Sequence, residues 1–371
     1  MLLKKLIKNI PFKFQKIKVL GLATHSNKVK KGFIFFAIRG HKINGEKYIV
    51  EAIKKGAVAI VCSKKCNINY KNFPIFRTSN IRLLLSQVAS KFYKLKPKNI
   101  IAVTGTNGKT SVADLFYQIL KLNNVSVASI GTLGIKHKNR VIETDLTSPN
   151  ALLLHQTLQN FKKNKTENVI MEASSHGLDQ KRLHHIKFKG AIFTNFSQDH
   201  LDYHKNMKSY LNAKLILFKE ILNKNSSIIS DSKIKQYILL KKISKKKKLK
   251  LFDIDEELKK IKNVNQEFMS NFKLKNLAMA IKALKLCNLS ENNIYEAIEK
   301  IKDVNGRLEM VKKYPNGIKV FVDYAHTPDA LFKTLSALKF HYGNNISLVF
   351  GCGGERDKKK RSKMARIANR I

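Results

Sequence analysis

A short apolar segment that runs into a glycine-bracketed turn, Ile101-Ala-Val-Thr-Gly-Thr-Asn-Gly-Lys-Thr-Ser111, limits the folds open to this chain more than any other feature. It predicts a strand followed directly by a helix, with Lys109 and Thr110 at the start of the helix. Backbone N–H groups in such a turn point toward one spot, and the helix dipole adds partial positive charge there. Lys109 supplies a full charge, and Thr110 a hydroxyl able to bind Mg²⁺. The segment therefore predicts a nucleoside-triphosphate site.

The spacing differs from the usual phosphate loop, G-x-x-x-x-G-K-[ST], which would need glycine at position 103, where this chain has Val103. The alternative is a plain strand–turn–helix junction that happens to carry one lysine. An apolar lead-in, two glycines, Lys-Thr and a helical pattern all occur together here, so the nucleotide site is favoured.

Composition narrows the class of protein. At 371 residues the chain is long enough for two or three domains, and its hydrophobic content of 43% is ordinary. It has no run of 18 apolar residues and no secretory leader pattern, so we expect a cytoplasmic protein without membrane contact. Four cysteines without metal-site spacing predict free thiols rather than a disulfide framework: Cys62, Cys66, Cys287 and Cys352.

The formal net charge of +46 raises the possibility of nucleic-acid binding. Only ten of the 72 basic residues are arginine, although recognition of bases and phosphates favours arginine. The lysines are spread along the chain, with one dense run at Lys241–Lys250. A solvated lysine surface with weak polyanion binding is therefore favoured over a specific nucleic-acid site.

The order of strand and helix patterns predicts three parts. Residues 1–97 suggest a small mixed α/β domain with a strand at Lys31–Ile38, a helix at Tyr48–Lys55 and a strand at Ala57–Cys62. Residues 98–305 alternate strand and helix, which predicts a mostly parallel sheet covered by helices. The strands expected there are Ile100–Val103, Val125–Ser129, Val169–Glu172 and Ala191–Asn195, and the helices are Lys109–Leu122, Leu274–Leu286 and Ile294–Ile301.

Residues 306–371 form the third part, with strands predicted at Ile318–Asp323 and Ile346–Phe350 and a helix from Pro328 between them. Two strands and about 65 residues bury little apolar surface, so this part is expected to be an incomplete domain. We therefore expect a C-terminally incomplete chain that is poorly active by itself.

Three further clusters bear on chemistry. Glu172 ends a predicted strand, at the sheet edge where the phosphate loop is expected, and a carboxylate there suits Mg²⁺; a helix cap or surface acid is the alternative. The segment Asp199-His-Leu-Asp-Tyr-His204 follows the next strand, where Asp and His suit metal binding or proton transfer. Lys214 is a single lysine among apolar neighbours on a predicted helix, and snorkelling to solvent is its simplest reading.

Together these motifs resemble the Mur ligase family. They occur in the family's order: Thr104-Gly-Thr-Asn-Gly-Lys-Thr110, Glu172-Ala-Ser-Ser-His-Gly177, Asp199-His-Leu-Asp-Tyr-His204, Ala213-Lys214, Asn305-Gly-Arg307 and Asp323-Tyr-Ala-His-Thr-Pro328. Within the family, the Ser-Ser-His-Gly and Asp-His-Leu-Asp-Tyr-His signatures are similar to those of the MurE branch. The resemblance implies an α/β protein of three domains: a small mixed α/β N-terminal domain, a central ATPase domain with a mostly parallel sheet, and a partial Rossmann-like C-terminal domain.

The resemblance also implies roles for individual residues. ATP would be bound by Gly105, Thr106, Asn107, Gly108, Lys109, Thr110, Asn276, Arg307, Asp323 and His326. Mg²⁺ would be held by Thr110, Glu172, His200 and a carbamylated Lys214, and the catalytic residues would be Lys109, His200 and Lys214. The substrates would contact Ser26, Thr147, Ser148, Ser174, Gln180, Arg182 and Arg361, with Ser26 at the uridine and Arg361 near the incoming amino acid.

Some positions depart from the family pattern. His25-Ser26-Asn27 stands where the family usually has Asp-Ser-Arg, so the uridine contact is expected to differ in detail. Lys273 replaces the first asparagine of the usual Phe-Asn-x-x-Asn, which leaves Asn276 as the more secure nucleotide contact. The family's Asp-Asn-Pro-Arg motif, which selects the amino acid, does not occur within the 371 residues.

The activity implied is an ATP-dependent amide ligation in peptidoglycan synthesis. A diamino acid, with meso-diaminopimelate favoured over L-lysine, would be added to UDP-N-acetylmuramoyl-L-alanyl-D-glutamate through an acyl phosphate, by a monomeric enzyme. Two alternatives stay open: another Mur or folylpolyglutamate-type ligase, and a basic nucleic-acid-binding ATPase.

Overall fold

The chain folds into two compact units. A computed structural model describes residues 1–40, 43–261, 270–353 and 357–371. The first unit consists of Met1–Pro97, Pro149–Lys165 and Gly177–Ile186, and the second of Lys98–Ser148, Thr166–His176 and Lys187–Ile371. Among the described residues, no helix has the length and apolar character needed to cross a bilayer.

The strands follow one another in this order: β1 (Gly21–Ala23), β2 (Phe33–Phe36), β3 (Ala57–Ser63), β4 (Ile75–Thr78), β5 (Asn99–Thr104), β6 (Val127–Gly131), β7 (Gly134–His137), β8 (Arg140–Ile142), β9 (Asn168–Glu172), β10 (Gly190–Phe193), β11 (Ser227–Ser230), β12 (Lys250–Asp253), β13 (Glu309–Lys313) and β14 (Lys319–Val322).

The α-helices are α1 (Leu3–Leu6), α2 (Ile49–Lys54), α3 (Ile81–Phe92), α4 (Lys109–Leu122), α5 (Ala151–Lys163), α6 (Ser175–Asp179), α7 (Leu201–His204), α8 (Met207–Ile216), α9 (Tyr237–Lys247), α10 (Asp255–Ile261), α11 (Asn271–Leu286), α12 (Glu291–Ile298), α13 (Pro328–Tyr342) and α14 (Lys359–Arg370).

The first unit is built on a parallel sheet with the strand order β1-β2-β3-β4. Its central strands are apolar except for Ser63 at the end of β3, because helices cover both faces. Side chains alternate between the faces: Ile34 and Phe36 of β2 pack with α1 and α3, whereas Phe35 packs with α2. The mixed α/β character predicted for this region agrees with the structure.

The second unit contains an eight-stranded sheet with the order β12-β11-β10-β5-β9-β6-β7-β8. Strands β12 to β6 in this order are parallel, and β7 and β8 join them antiparallel. Helices α4 and α11 pack together over one face and bury Phe116, Leu277 and Ile281. The predicted sheet is therefore present, and because β5, β9, β10 and β6 are parallel, their carboxyl ends lie along one edge.

The C-terminal residues of this unit differ from the prediction in part. Helix α13 starts at Pro328 as expected, with Thr327 as its N-cap. The strand predicted at 318–323 is β14, but it pairs antiparallel with β13, across a turn in which the Gly317 N–H donates to the Tyr314 carbonyl. The strand predicted at 346–350 is wrong: these residues pair with no strand in the part of the chain that the structure describes, and Val349 is 99% exposed.

A buried histidine in the first unit gives its stability a pH dependence. His155 of α5 is 0% exposed, and its Nδ1 has no hydrogen-bond partner among the described residues. Its Nε2 lies 3.5 Å from the Ser86 hydroxyl. Burial, with a smaller effect from the nearby Lys96 charge, lowers the pKa of His155 from 6.5 to about 3. The folded state therefore keeps this imidazole neutral, while the unfolded chain protonates it below about pH 6.5.

Acidification should therefore destabilise the first unit through His155. In the window between the two pKa values the unfolded state binds the extra proton, so its free energy of unfolding falls as the pH drops. The loss is at most about 1.4 kcal/mol for each pH unit below 6.5. The free energy of unfolding can be measured by urea titration at several pH values from neutral to about pH 4. It should fall less steeply with decreasing pH for His155→Leu than for the parent chain. Identical slopes would contradict this assignment.

Candidate functional site

The glycine-bracketed loop lies at the carboxyl edge of the large sheet, between β5 and α4. Gly105 and Gly108 have φ angles of +144° and +86°, which residues with a Cβ rarely adopt. The end of β10 holds the loop from the side: the Thr194 hydroxyl and the Asn195 amide donate to the Asn107 carbonyl at 2.6 and 3.0 Å. The Asn107 N–H donates in turn to Asn195 Oδ1 at 2.9 Å. The backbone of the loop is therefore fixed before any ligand binds.

Two lysines converge on this loop. Lys109 Nζ donates to the carbonyls of Gly105 and Thr106 at 3.0 and 2.8 Å. Lys214 Nζ donates to the same Gly105 carbonyl at 2.7 Å. Loss of hydration lowers the pKa of Lys109, although the charges of Glu172 and Asp199 oppose this effect. Burial, with the Lys109 charge beside it, lowers the pKa of Lys214 well below its usual value.

Lys214 does not snorkel to solvent, so that reading of the sequence is wrong. The residue is 1% exposed, in the last turn of α8, and the chain continues as a π-helix over Leu217–Ile221. Its Nζ lies 4.4 Å from the centroid of the Tyr210 ring. The ammonium cannot reach water because the face of α8 that carries Lys214 packs against the glycine-bracketed loop.

Glu172 ends β9 and is 2% exposed. Its carboxylate accepts hydrogen bonds from the Thr110 hydroxyl at 3.2 Å and from the N–H and hydroxyl of Thr132 at 2.8 and 3.2 Å. A Cβ at Gly131 would collide with this carboxylate, so glycine is needed at the end of β6. A carboxylate and a hydroxyl are thereby brought together beside the start of α4.

The Asp199 carboxylate contacts two imidazoles and one ammonium group of the site. His200 Nε2 and His326 Nε2 each lie 3.2 Å from its Oδ2, and Lys360 Nζ lies 3.3 Å from its Oδ1. Burial opposes ionisation, but the hydrogen bond from His326 and the surrounding positive charges hold the pKa of Asp199 below its usual range. Burial lowers the pKa of His200 to about 3 despite this carboxylate, so the His200 imidazole is neutral.

A cavity of about 90 Å³ opens beside the loop, between α4, α11 and residues 301–307. Its lining contains both apolar and polar residues: Leu115, Phe272, Leu277, Ile301 and Val304, and Ser111, Lys273, Asn276, Lys302, Asp303 and Arg307. Arg307 Nη2 donates to the Thr110 hydroxyl at 3.0 Å. Asp323, after β14, is half-buried, and burial raises its pKa.

The structure brings together most of the residues that the sequence predicts for ATP and metal binding. They all belong to the second unit, as do Thr147, Ser148 and Ser174. The Ser148 hydroxyl donates to the Glu172 carbonyl at 2.8 Å and the Ser174 N–H donates to Ser148 Oγ at 2.9 Å, while the Thr147 and Thr132 hydroxyl oxygens lie 3.2 Å apart.

The remaining predicted substrate residues lie elsewhere. Ser26 is the first residue of a short 3₁₀-helix in the first unit. Gln180 and Arg182 belong to the same unit, and Arg182 Nη2 donates to Gln180 Oε1 at 2.7 Å. Arg361, on α14 of the second unit, is exposed and donates to the Gly353 carbonyl at 3.2 Å.

Sequence analysis left several contributors to the site without an assigned role, among them Thr132, Asp199 and Lys360. Thr132 follows β6 directly, so its place at the carboxyl edge was readable from the strand pattern. Asp199 stands beside His200 in a motif already singled out, but only the fold shows that it also meets His326 and Lys360. No local signal links residues this far apart in sequence.

Three family descriptions match successive parts of the chain: "Mur ligase family, catalytic domain" over residues 18–103, "Mur ligase middle domain" over 103–298, and "Mur ligase, glutamate ligase domain" over 306–371. The chain belongs to the Mur ligase family. The predicted family and its three-domain α/β architecture are confirmed, while the boundaries after residues 97 and 305 stay predictions.

Individual relatives of this Mur ligase share one name. UDP-N-acetylmuramoyl-L-alanyl-D-glutamate--2,6-diaminopimelate ligase from Rickettsia montanensis is 37% identical over 387 residues, covering 97% of this chain and 80% of the relative. The ligase of the same name from Zymomonas mobilis is 38% identical over 374 residues, covering 94% and 76%. A solved structure of a ligase with this name superposes with a TM-score of 0.78 at 25% identity, covering 100% of this chain and 80% of that one.

One substitution tests the packing of the loop in this Mur ligase. Gly108 and Gly317 both have φ of +86°, but a Cβ at Gly108 would lie 2.5 Å from Asn276 Oδ1, whereas one at Gly317 would meet no atom of the described residues within 4 Å. The two positions are therefore matched in φ. Gly108→Ala should lower the free energy of unfolding by about 1–3 kcal/mol more than Gly317→Ala in urea titrations.

A second background supplies the control. Shortening Asn276 to alanine removes the colliding atom. In that background, Gly108→Ala should lower the free energy of unfolding no more than Gly317→Ala does. An unchanged difference between the two glycine variants in the Asn276→Ala background would refute the packing argument.

Proposed function

We propose that this chain is an ATP-dependent amide ligase that joins 2,6-diaminopimelate, in its meso form, to UDP-N-acetylmuramoyl-L-alanyl-D-glutamate in peptidoglycan synthesis. The observation that carries the proposal is the meeting of Lys109, Thr110, Glu172 and Lys214 around one glycine-bracketed loop. Triphosphate and peptide carboxylate are both anions, and this is where the fold gathers cations. The shared name of the relatives supports the choice of substrates.

ATP binds with its phosphates on the loop and its base in the neighbouring cavity. Residues 105–110 present backbone N–H groups at the start of α4, where the helix dipole favours an anion. Lys109 is then released from the loop carbonyls and pairs with phosphate oxygens. Arg307, already on the Thr110 hydroxyl, and Asn276, beside Gly108, approach the nucleotide from the other side. Asp323 and His326 complete the nucleotide contacts.

The residues present suit Mg²⁺. The Glu172 carboxylate and the Thr110 hydroxyl lie together, and Mg²⁺ prefers one or two carboxylates completed by water and phosphate oxygens. When bound, Mg²⁺ neutralises phosphate charge and polarises the transferred phosphoryl group.

Lys214 contributes as a carbamate. Its burial favours the neutral amine, which is the form that attacks CO₂: a C–N bond forms, the nitrogen loses a proton, and the side chain becomes an anion. The resulting carboxylate oxygens would be ligands for a second metal ion, and the neutral His200 imidazole would assist at that site. A buried lysine is thereby converted from a costly cation to a ligand.

The ligation proceeds in two displacements. The terminal carboxylate of the muramoyl peptide attacks the γ-phosphorus, the bond to the ADP oxygen breaks, and an acyl phosphate forms. The amine of the amino acid then attacks the acyl carbon, inorganic phosphate leaves, and the nitrogen loses a proton. Holding the reacting groups together lowers the barrier by avoiding the entropy cost of encounter.

Water must be kept from the acyl phosphate, which it would hydrolyse. Residues after position 306 already contact the loop: Asn107 Nδ2 donates to Asp329 Oδ2 at 3.2 Å and the Thr327 hydroxyl donates to Asn107 Oδ1 at 3.3 Å. The bonds of Asp199 with His326 and Lys360 add to this closure.

The family pattern also assigns contacts with the muramoyl-peptide substrate. These residues are Thr147, Ser148, Ser174, Gln180 and Arg182, with Ser26 at the uridine. Arg361 contacts the incoming amino acid. These assignments follow the family pattern position by position.

Release of inorganic phosphate from ATP tests the function. It should require UDP-N-acetylmuramoyl-L-alanyl-D-glutamate and meso-diaminopimelate together, with L-lysine as the matched amino-acid control, and Lys109→Met should abolish it because the phosphates lose their cation. Phosphate release that responds to a folate would favour a polyglutamate-type ligase. Release stimulated by polynucleotide and indifferent to the muramoyl peptide would favour a nucleic-acid-binding ATPase.

Removal of the Lys214 amine tests the carbamate. Lys214→Ala should lower the ligation rate by roughly 100-fold or more, and added bicarbonate should not restore it. The parent enzyme in CO₂-depleted buffer should lose activity and regain it with bicarbonate. Full activity of Lys214→Ala would show that carbamylation plays no part.

A further inference from the structure

Lys273 joins helix α11 to the chain on both sides of Arg307. Its Nζ lies 2.9 Å from Asp303 Oδ1 and donates to the Leu308 carbonyl at 3.1 Å. The Lys273 side chain is mostly buried, at 18% exposed, whereas that of Asp303 is 46% exposed. One ammonium group therefore spans the segment that carries Arg307.

A lysine is electrostatically unfavourable at this place in a helix. Lys273 is the third residue of α11, and the N-terminal turn of a helix carries partial positive charge that disfavours cations. The described contacts of its ammonium are with oxygens outside the helix. The position of Lys273 is therefore explained by its contacts with Asp303 and the Leu308 carbonyl, and not by the stability of helix α11.

The backbone around Arg307 needs such support. Gly306 and Leu308 both lie in the left-handed region, with φ of +62° and +48°, and Leu308 is fully buried. A bulky residue holds that conformation only where the surroundings fix it. The Lys273 bond to the Leu308 carbonyl is one such restraint, and the Gly306 N–H bond to Glu309 Oε2 at 2.6 Å is another.

The side chain of Arg307 depends on this backbone for its aim. Its Nη2 reaches the Thr110 hydroxyl at 3.0 Å, and its guanidinium carbon lies 4.4 Å from the centroid of the Tyr324 ring. Thr110 is the hydroxyl beside Glu172 at the start of α4. A small rotation of the 306–308 backbone would carry the guanidinium away from this hydroxyl.

We propose that Lys273 is a positioning residue that sets Arg307 against Thr110 by holding Asp303 and Leu308 to α11, and so determines how tightly this enzyme binds ATP. It acts through Arg307 and touches neither reacting group. Lys273 and Asp303 also line the cavity beside the loop, and the cycle with Arg307 separates positioning from a direct contact there. The inference rests on the proposed ATP site, because Arg307 matters only if the nucleotide lies beside it.

A double-mutant cycle between Lys273 and Arg307 tests the proposal. Lys273→Met should raise the KM for ATP roughly tenfold with a much smaller change in kcat. The reason is that the weakened Arg307 contact stabilises the bound ground state and the transition state equally. In an Arg307→Met background the same change should add less than about twofold. Lys273→Arg, which keeps a cation with several N–H donors, should restore most of the affinity.

Two further variants separate positioning from general stability. Lys285→Met removes another lysine of α11, whose Nζ lies 2.6 Å from Glu291, and should leave the KM for ATP unchanged. Asp303→Asn weakens the contact with Lys273 by changing the partner that lies outside helix α11. It should raise the KM for ATP, as Lys273→Met does. It keeps the test open if Lys273→Met does not fold.

Additive effects in the cycle would overturn the proposal, as would a normal KM for ATP in both Lys273→Met and Asp303→Asn. A different result would count against the ATP site itself: if Arg307→Met leaves the KM for ATP unchanged, then Arg307 is not a nucleotide contact. Failure of the inference and failure of the proposed function are thereby distinguishable.

Discussion

One carbonyl oxygen, that of Gly105, accepts hydrogen bonds from two lysines, and the rest of the site depends on this arrangement. Lys109 and Lys214 stand 3.0 and 2.7 Å from it. Burial lowers the pKa of both lysines, and the Lys109 charge lowers that of Lys214 further. The pocket is stabilised by anions, whether Glu172 and Asp199 from the protein or phosphate and carboxylate from substrates. This demand for negative charge connects the fold to the proposed chemistry.

The large sheet meets that demand through its geometry. The parallel strands β5, β9 and β10 end at one edge, and each delivers a different group there: the loop, Glu172, and the Thr194-Asn195 pair that fixes the loop. Asp199 then connects this edge to residues more than a hundred positions later in the chain, His326 and Lys360. One buried carboxylate thus holds His326 and Lys360 at this edge of the sheet.

The sequence predicted local features well and long-range contacts poorly. Helix α4 has the predicted bounds, because the glycines and the apolar periodicity define both of its ends. Residues 346–350 have strand-like composition, but a strand needs a partner, and sequence composition does not supply one. Periodicity could not show that Lys214 faces inward, since burial of that face depends on the phosphate loop. The role of Lys273 is likewise visible only when Asp303 and Leu308 are seen beside it.

The most direct test of the central claim is positional isotope exchange in ATP labelled with heavy oxygen at the β–γ bridge. If the pocket brings triphosphate and peptide carboxylate together, the bridging label should scramble in the presence of UDP-N-acetylmuramoyl-L-alanyl-D-glutamate alone, before any amino acid is added, because acyl phosphate and ADP form reversibly. Scrambling that is absent without the amino acid, or that is indifferent to the muramoyl peptide, would contradict the account.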